Sequence, residues 1–391
     1  MSVTVVLDSQ AGSCGKGKFI GYIAKADNAD IAINNFMSNA GHTFVDENGN
    51  KVMTQHLPTS LINDNTSLVI GPGAAITPYI LFNEILEYGK AIGNRKIIIN
   101  PRAVVIADKH RHEEARVLRS GSTFKGCGSA QADKVMRQAM LFGEFWDKMN
   151  TEGGCDFGDD DGDYGDLNYV CTCGEWEIIK EYIIVMDTMM YINDAIDNNK
   201  YVLIEGSQGC DLDINYGLAY PNTTSRQCHA GQLVADCGIS PKLVDDIIMV
   251  MRPYPIRISN TTNIMDEHGN AIVASSGDYD GAEEITWDII KERCGAPADI
   301  EFGEITTVTK KPRRVFEMNW DRLRYVAKLN RPTMIALNFA QYIDWGAYKC
   351  HEYNKLPETV KQFIQKVEEV TGVPVLLIGT GPNNDDIIDI R

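Results

Sequence analysis

The sequence predicts an α/β fold, with a mostly parallel central sheet flanked by helices. Three observations carry that expectation. Short apolar, β-branched runs recur along the chain, and each closes on small or polar residues. Amphipathic helical patterns separate several of them. The first run, Val3–Leu7, breaks into the glycine- and lysine-rich stretch Gly12–Lys18. Apolar strands alternating with helices imply parallel pairing with both faces covered. Such sheets bind ligands beyond the carboxyl ends of their strands, so the polar loops after the runs are where function is expected.

The strand-like runs are Val3–Leu7, Ile31–Ile33, Leu68–Ile70, Ile97–Ile99, Val202–Ile204, Ile247–Met251, Met334–Leu337 and Val375–Ile378. Helical spacing of apolar residues marks Pro78–Gly89, Glu177–Ile196 and Pro357–Val370. No repeat or linker is visible, so residues 1–391 read as a single domain with loop and helical excursions. The acidic, glycine-rich stretch at about 152–168 reads as a solvated loop. No register within it supplies the ligand positions of a calcium loop.

A net charge of −17 over 391 residues argues against non-specific nucleic-acid binding, which needs a basic face. The apolar runs fall far short of the ~20 residues that span a bilayer, so no membrane partner is expected. Met1-Ser-Val opens a strand rather than a basic leader, and the ten cysteines read as reduced thiols. The expected location is cytoplasmic (host cytoplasm for a phage-encoded chain).

The glycines of Gly12–Lys18 let backbone N–H groups approach a phosphate, and Lys16 and Lys18 add positive charge. The spacing from Gly12 to Lys18 fits G-x-x-x-x-G-K, but Phe19 stands where a Ser or Thr would reach magnesium. Asn39–Thr43, reading N-A-G-H-T, supplies amide donors and one titratable group, His42; a structural turn with a surface histidine is the plainer alternative. Gly121–Gly128 offers Ser122 and Thr123 to a phosphomonoester, or is an ordinary loop. Glu205–Gly209 places Gln208, which donates and accepts, at a strand end, and Pro221–Arg226 adds Thr223 and Thr224. Thr306–Arg314 concentrates Lys310, Lys311, Arg313 and Arg314 in an acidic protein, a composition suited to gripping a dicarboxylate. Gly379–Asn383 closes over a base or simply turns the chain.

The order and spacing of these pieces resemble the adenylosuccinate synthetase family over nearly the whole chain. The family's first loop reads G-D-E-G-K-G-K, and Gly12–Lys18 matches it except at Ser13 and Cys14. N-A-G-H-T is intact at Asn39–Thr43, D-K-V-x-R at Asp133–Arg137 and E-G-x-Q-G at Glu205–Gly209; Thr306–Arg314 resembles the aspartate loop. The resemblance implies the family's α/β fold around a P-loop-like turn. It implies a magnesium-dependent ligase that uses a nucleoside triphosphate to activate the 6-oxygen of a purine monophosphate, after which aspartate's amine displaces phosphate. By resemblance Gly12, Ser13, Gly15, Lys16, Gly17, Lys18, Gly41, His42, Thr43, Asn338, Gln341, Gly379, Gly381 and Pro382 hold the triphosphate donor. Ser13, Asn39, Ser122, Thr123, Arg137, Gln208, Thr223 and Thr224 hold the monophosphate. Thr306, Thr307 and Arg313 hold aspartate, and Ser13 and Gly41 face magnesium. The expected catalytic residues are Ser13, Lys16, His42 and Gln208. Arg137 is expected to act in the neighbouring subunit, which implies a homodimer.

Two departures point to a changed substrate. The position of Ser13 is an Asp in the family, where it takes the proton of the base's ring nitrogen and ligates magnesium. A serine is no general base near neutral pH without an activating partner. It is shorter and neutral, and leaves room and an acceptor for the 2-amino group of guanine. The pattern resembles the phage-type branch of the family, whose members act on dGMP. The family's guanine-reading T-K-L-D aligns with Asn338–Gln341, where Gln341 cannot pair with guanine as an Asp does. ATP or dATP is therefore expected as donor. The expected substrates are dGMP, L-aspartate and ATP. An ordinary synthetase acting on IMP and a non-catalytic nucleotide-binding switch are the alternatives.

Overall fold

The computed structural model of the protein describes residues 2–46, 49–117, 123–151, 171–259, 261–265, 271–274, 276–306 and 312–391. Its centre is a ten-stranded sheet. In chain order the strands are β1 (Ser2–Asp8), β2 (Ile31–Asn34), β3 (Ser67–Ile70), β4 (Ile97–Ile99), β5 (Ile183–Val185), β6 (Tyr201–Glu205), β7 (Asp246–Met251), β8 (Met334–Leu337), β9 (Val375–Gly379) and β10 (Ile387–Asp389). Across the sheet they run β10-β9-β8-β7-β1-β6-β2-β3-β4-β5. Every neighbouring pair is parallel except β9 with the edge strand β10.

Alternation along β1 explains the layers. Val3, Val5 and Leu7 face one side, where they pack with Leu233 and Val234 and with Val326, Val360 and Ile364 of later helices. Val6 faces the other side, against Phe19, Ile20 and Ile23 of the helix Lys16–Ala26. Phe19, Ile20 and Ile23 are all fully buried. Burying each contributes about 1.5–3 kcal/mol. That outweighs the ~1 kcal/mol forgone because no side chain caps this helix. Phe19, standing where a magnesium-binding hydroxyl was sought, is thus core.

All the predicted strand runs lie in the sheet. The continuous helix expected over Glu177–Ile196 does not form. Helices span Cys173–Ile179 and Thr188–Asp197, and β5 lies between them, paired with β4. The run Tyr182–Val185 carries β-branched residues that complete a sheet edge, and Asp187 caps the second helix by accepting from the Met189 N–H. The helix from Pro78 runs through Gly89 to Ile92 and stops at Gly93 (φ +61°). The helix near the C-terminus spans Glu358–Thr371, close to the expected bounds. Asp133–Met136 forms the last turn of the helix Cys127–Met136, and Arg137 ends it in a left-handed conformation. Cys173 is disulfide-bonded, which corrects the expectation of reduced thiols throughout. The acidic stretch at 152–168 lies outside the described residues. Among the described residues no helix is long and apolar enough to cross a membrane.

Candidate active site

Parallel pairing brings the carboxyl ends of β1, β2, β6, β7, β8 and β9 to one side. The loops that follow them meet there. Gly12–Gly15 emerges from β1, near the middle of the sheet. Gly12 (φ +84°), Ser13 (φ +56°) and Gly15 (φ +87°) all adopt left-handed backbone, which turns the chain from strand into helix within a few residues. A Cβ on Gly15 would run into the Asn338 side chain, and its φ of +87° strains any other residue there. The uncapped start of the helix leaves the amides of Lys16 and Gly17 to an anion.

Buried Asp8, absent from the residues expected at the site, holds this loop from inside. Its carboxylate accepts from the Gln10 N–H at 3.2 Å, the Cys14 N–H at 3.0 Å and Lys16 Nζ at 3.0 Å. Lys16 Nζ also donates to the Gln208 carbonyl at 2.7 Å. An ammonium has three donors, so one remains for a phosphoryl oxygen. Gln208 Nε2 donates to Asn39 Oδ1 at 3.0 Å, and Asn39 Nδ2 reaches Thr224 Oγ1 at 3.4 Å. The expected monophosphate residues Asn39, Gln208 and Thr224 are therefore one connected chain beside Lys16. Glu205 of the same segment accepts the N–H and hydroxyl of both Thr59 and Ser60, pinning the end of β6.

His42 lies in this cluster. Its ring stacks on Phe36 at 3.9 Å and 9°, and its buried Nε2 has no partner among the described residues. Burial, helped by the charge of Lys16, holds the imidazole well below its ordinary pKa. It is a neutral imidazole, held flat, with one ring nitrogen open. The surface-histidine alternative fails, because His42 is buried.

Lys18 Nζ donates to the Gly381 and Asp386 carbonyls, both at 2.7 Å, tying the phosphate loop to the loop after β9. Asn338 Nδ2 donates to the Cys14 carbonyl at 3.0 Å. Gln341 is buried, and its Oε1 is unpaired among the described residues. Burial pulls the Lys18 ammonium down to about 7, against the carboxylates of Asp386 and Asp385. A bound triphosphate favours the protonated form and raises that value. Affinity for a nucleoside triphosphate is therefore expected to hold below pH 7 and to fall by up to about tenfold per unit as the pH rises above it. Calorimetry from pH 6 to 9 reads this, and Lys18→Met is expected to bind weakly with a flat profile.

Some expected residues stand apart. Ser122 and Thr307 lie outside the described residues, as do Lys310 and Lys311. Thr123 is half-buried, and Arg137 is exposed at its helix end. Ser13 is exposed, while its carbonyl accepts from Arg252 Nη1 at 3.2 Å. Arg313 is mostly buried, its Nε lying 3.7 Å from Glu304 Oε2. Arg252 and Glu304 were also missed by sequence reasoning. A lone arginine closing the apolar run Ile247–Met251 was the available signal.

Parallel strands, a central phosphate loop and a neutral imidazole beside paired lysines make this a nucleotide-dependent enzyme of the phosphate-loop α/β class. The family model for adenylosuccinate synthetase matches residues 5–346, and the chain belongs to that family of carbon–nitrogen ligases. The adenylosuccinate synthetase of Thermococcus sibiricus is 31% identical, over 99% of this chain and 98% of its own. The N6-succino-2-amino-2'-deoxyadenylate synthase of Salmonella phage PMBT28 is 32% identical over the same shares. Among solved structures, the succinoaminodeoxyadenylate synthetase of cyanophage S-2L, bound to dGMP and dATP as an energy donor, superposes with a TM-score of 0.75 at 26% identity. That match covers 100% of this chain and 95% of the other.

Proposed function

We propose that the chain joins L-aspartate to the 6-position of dGMP, forming N6-succino-2-amino-2'-deoxyadenylate with ADP and phosphate. The observation that carries this reading is Ser13. It is an exposed, neutral hydroxyl at the tip of the phosphate loop, where the family loop carries an Asp. The likeness to two phage enzymes, one solved with dGMP, supports it.

In the first step the 6-oxygen of the base attacks the γ-phosphorus and ADP leaves. Lys16 and the amides at the start of the helix hold the phosphates, and neutral His42 donates from Nε2 to the transferring group. In the second step the amine of aspartate attacks C6 and phosphate departs. Arg313 and Thr306, with Thr307, hold the carboxylates of aspartate. Gln208, Asn39, Thr223 and Thr224, with Ser122 and Thr123, hold the monophosphate. Ser13 accepts from the 2-amino group, and the ring proton passes to water or phosphate. Among the described residues no acidic or histidine cluster could hold a metal by itself. The Gly41 carbonyl and the Ser13 hydroxyl would hold a magnesium ion together with substrate phosphates, an oxygen-only donor set that suits it. When bound, the ion neutralises triphosphate charge. The buried carbonyl oxygen of Gln341, unpaired among the described residues, fits the exocyclic amine of adenine, which favours ATP or dATP as donor; Gly379, Gly381 and Pro382 border that side. Val135 and Met136 are 78% and 65% exposed beside Arg137, an apolar face suited to a homodimer in which Arg137 acts in trans.

Phosphate release measured with IMP, GMP and dGMP, each with aspartate and ATP, tests the reading. Aspartate-dependent release is expected with dGMP and not with IMP. Turnover of IMP alone would identify an ordinary synthetase, and release without aspartate dependence a nucleotide switch.

A further inference from the structure

Topology places Arg252 between the loops of the site. It directly follows β7, which pairs with β1 on one side and β8 on the other; Asp8 lies opposite Val250, and Leu337 opposite Met251. The phosphate loop therefore leaves on one flank of Arg252 and the Asn338–Gln341 loop on the other. Arg252 is fully buried, and a buried guanidinium needs partners for its charge and its donors.

Those partners come from three loops. Gln10 fixes the backbone, accepting from the Arg252 N–H at 3.0 Å and donating to its carbonyl at 3.0 Å. Nη1 donates to the Ser13 carbonyl at 3.2 Å and to Glu304 Oε2 at 3.0 Å, and Nη2 to Glu304 Oε1 at 2.6 Å. The guanidinium lies over the Phe339 ring, 4.5 Å from its centroid. Glu304 Oε1 also accepts from the Tyr342 hydroxyl at 3.2 Å, and Oε2 lies 3.7 Å from Arg313 Nε. Burial works against the Glu304 charge, yet the two guanidiniums hold its carboxyl below the ordinary range. Two guanidiniums sharing one carboxylate leave, among the described residues, one positive charge unmatched beside the aspartate loop, as a substrate carboxylate requires.

We propose that Arg252 is a positioning residue that couples the purine site to the aspartate site. Its planar fork ties the Ser13 carbonyl to Glu304, so the loop that reads the base and the arginine that grips aspartate order together. A lysine places one point charge and cannot span both partners. The inference rests on the roles given above to Ser13 and Arg313.

The test is the affinity of the purine monophosphate with and without saturating aspartate, a non-hydrolysable triphosphate being present throughout. The purine used is whichever of dGMP, GMP or IMP the wild type turns over. Aspartate is expected to tighten purine binding about fivefold or more in the wild type. In Arg252→Lys and Glu304→Gln the gain is expected to shrink below about twofold, while each ligand still binds alone. A loss of packing weakens each ligand but leaves that ratio unchanged. Absence of coupling in the wild type, or intact coupling in either variant, overturns the proposal. Where Arg252→Lys does not fold, Glu304→Gln decides, since it keeps the side chain's shape. Turnover of IMP rather than dGMP overturns the reading of Ser13 and leaves this experiment to run with IMP.

Discussion

Ser13→Asp is expected to lower kcat/KM for dGMP by about a hundredfold or more and to introduce turnover of IMP. The backbone accepts the change. Ser13 sits at φ +56°, and Asp is among the residues that tolerate left-handed backbone. The side chain is exposed, so no core is disturbed. The effect is therefore expected in the chemistry and not in the fold. A carboxylate fills the space the 2-amino group needs, and for IMP it supplies a base for the ring proton that a serine hydroxyl does not. Kinetics with dGMP and IMP on both forms read the switch, with thermal unfolding as the control. Unchanged dGMP kinetics would remove Ser13 as the selector.

The residues that carry this argument were unequally legible. Gly12–Lys18 announces itself because a glycine-rich turn must follow its strand directly, and Asn39–Thr43 because the motif is contiguous. The strands were visible because central parallel strands are apolar on both faces. The edge was not: β5 is three residues inside what looked like one amphipathic helix, and only its pairing with β4 makes it a strand. Asp8 and Glu304 were invisible, and Arg252 nearly so, for a related reason. Each is far in sequence from part of what it holds, and their importance comes from burial, which no local pattern reveals. Asp8 ends a strand, and nothing around it says that its carboxylate is wrapped by the turn it precedes. Arg252 and Ser13 are brought together only by the order β7-β1 in the sheet.

His42→Ala is expected to lower kcat about a hundred- to a thousandfold, the cost of removing one preorganised donor to a developing charge. Nucleotide affinity is expected to change little, because Lys16, Lys18 and the backbone amides of the loop remain. The pH profile separates this role from that of a general base. Burial and Lys16 depress the imidazole well below 6.5, so His42 is neutral in the folded protein throughout the physiological range. A step that depends on the neutral ring is present above its folded value and is lost only as the pH falls through it. The wild-type kcat/KM, which reports the free enzyme, is therefore expected to show no acid limb near 6.5. A limb there that vanishes in His42→Asn would show that the ring titrates during turnover, against the neutral-donor role. His42→Asn, which keeps a neutral N–H, is expected to recover part of the activity lost in His42→Ala. The stacked Phe36 ring explains why the recovery stays partial: it holds an imidazole flat at 3.9 Å, and a shorter amide is not held on the same line.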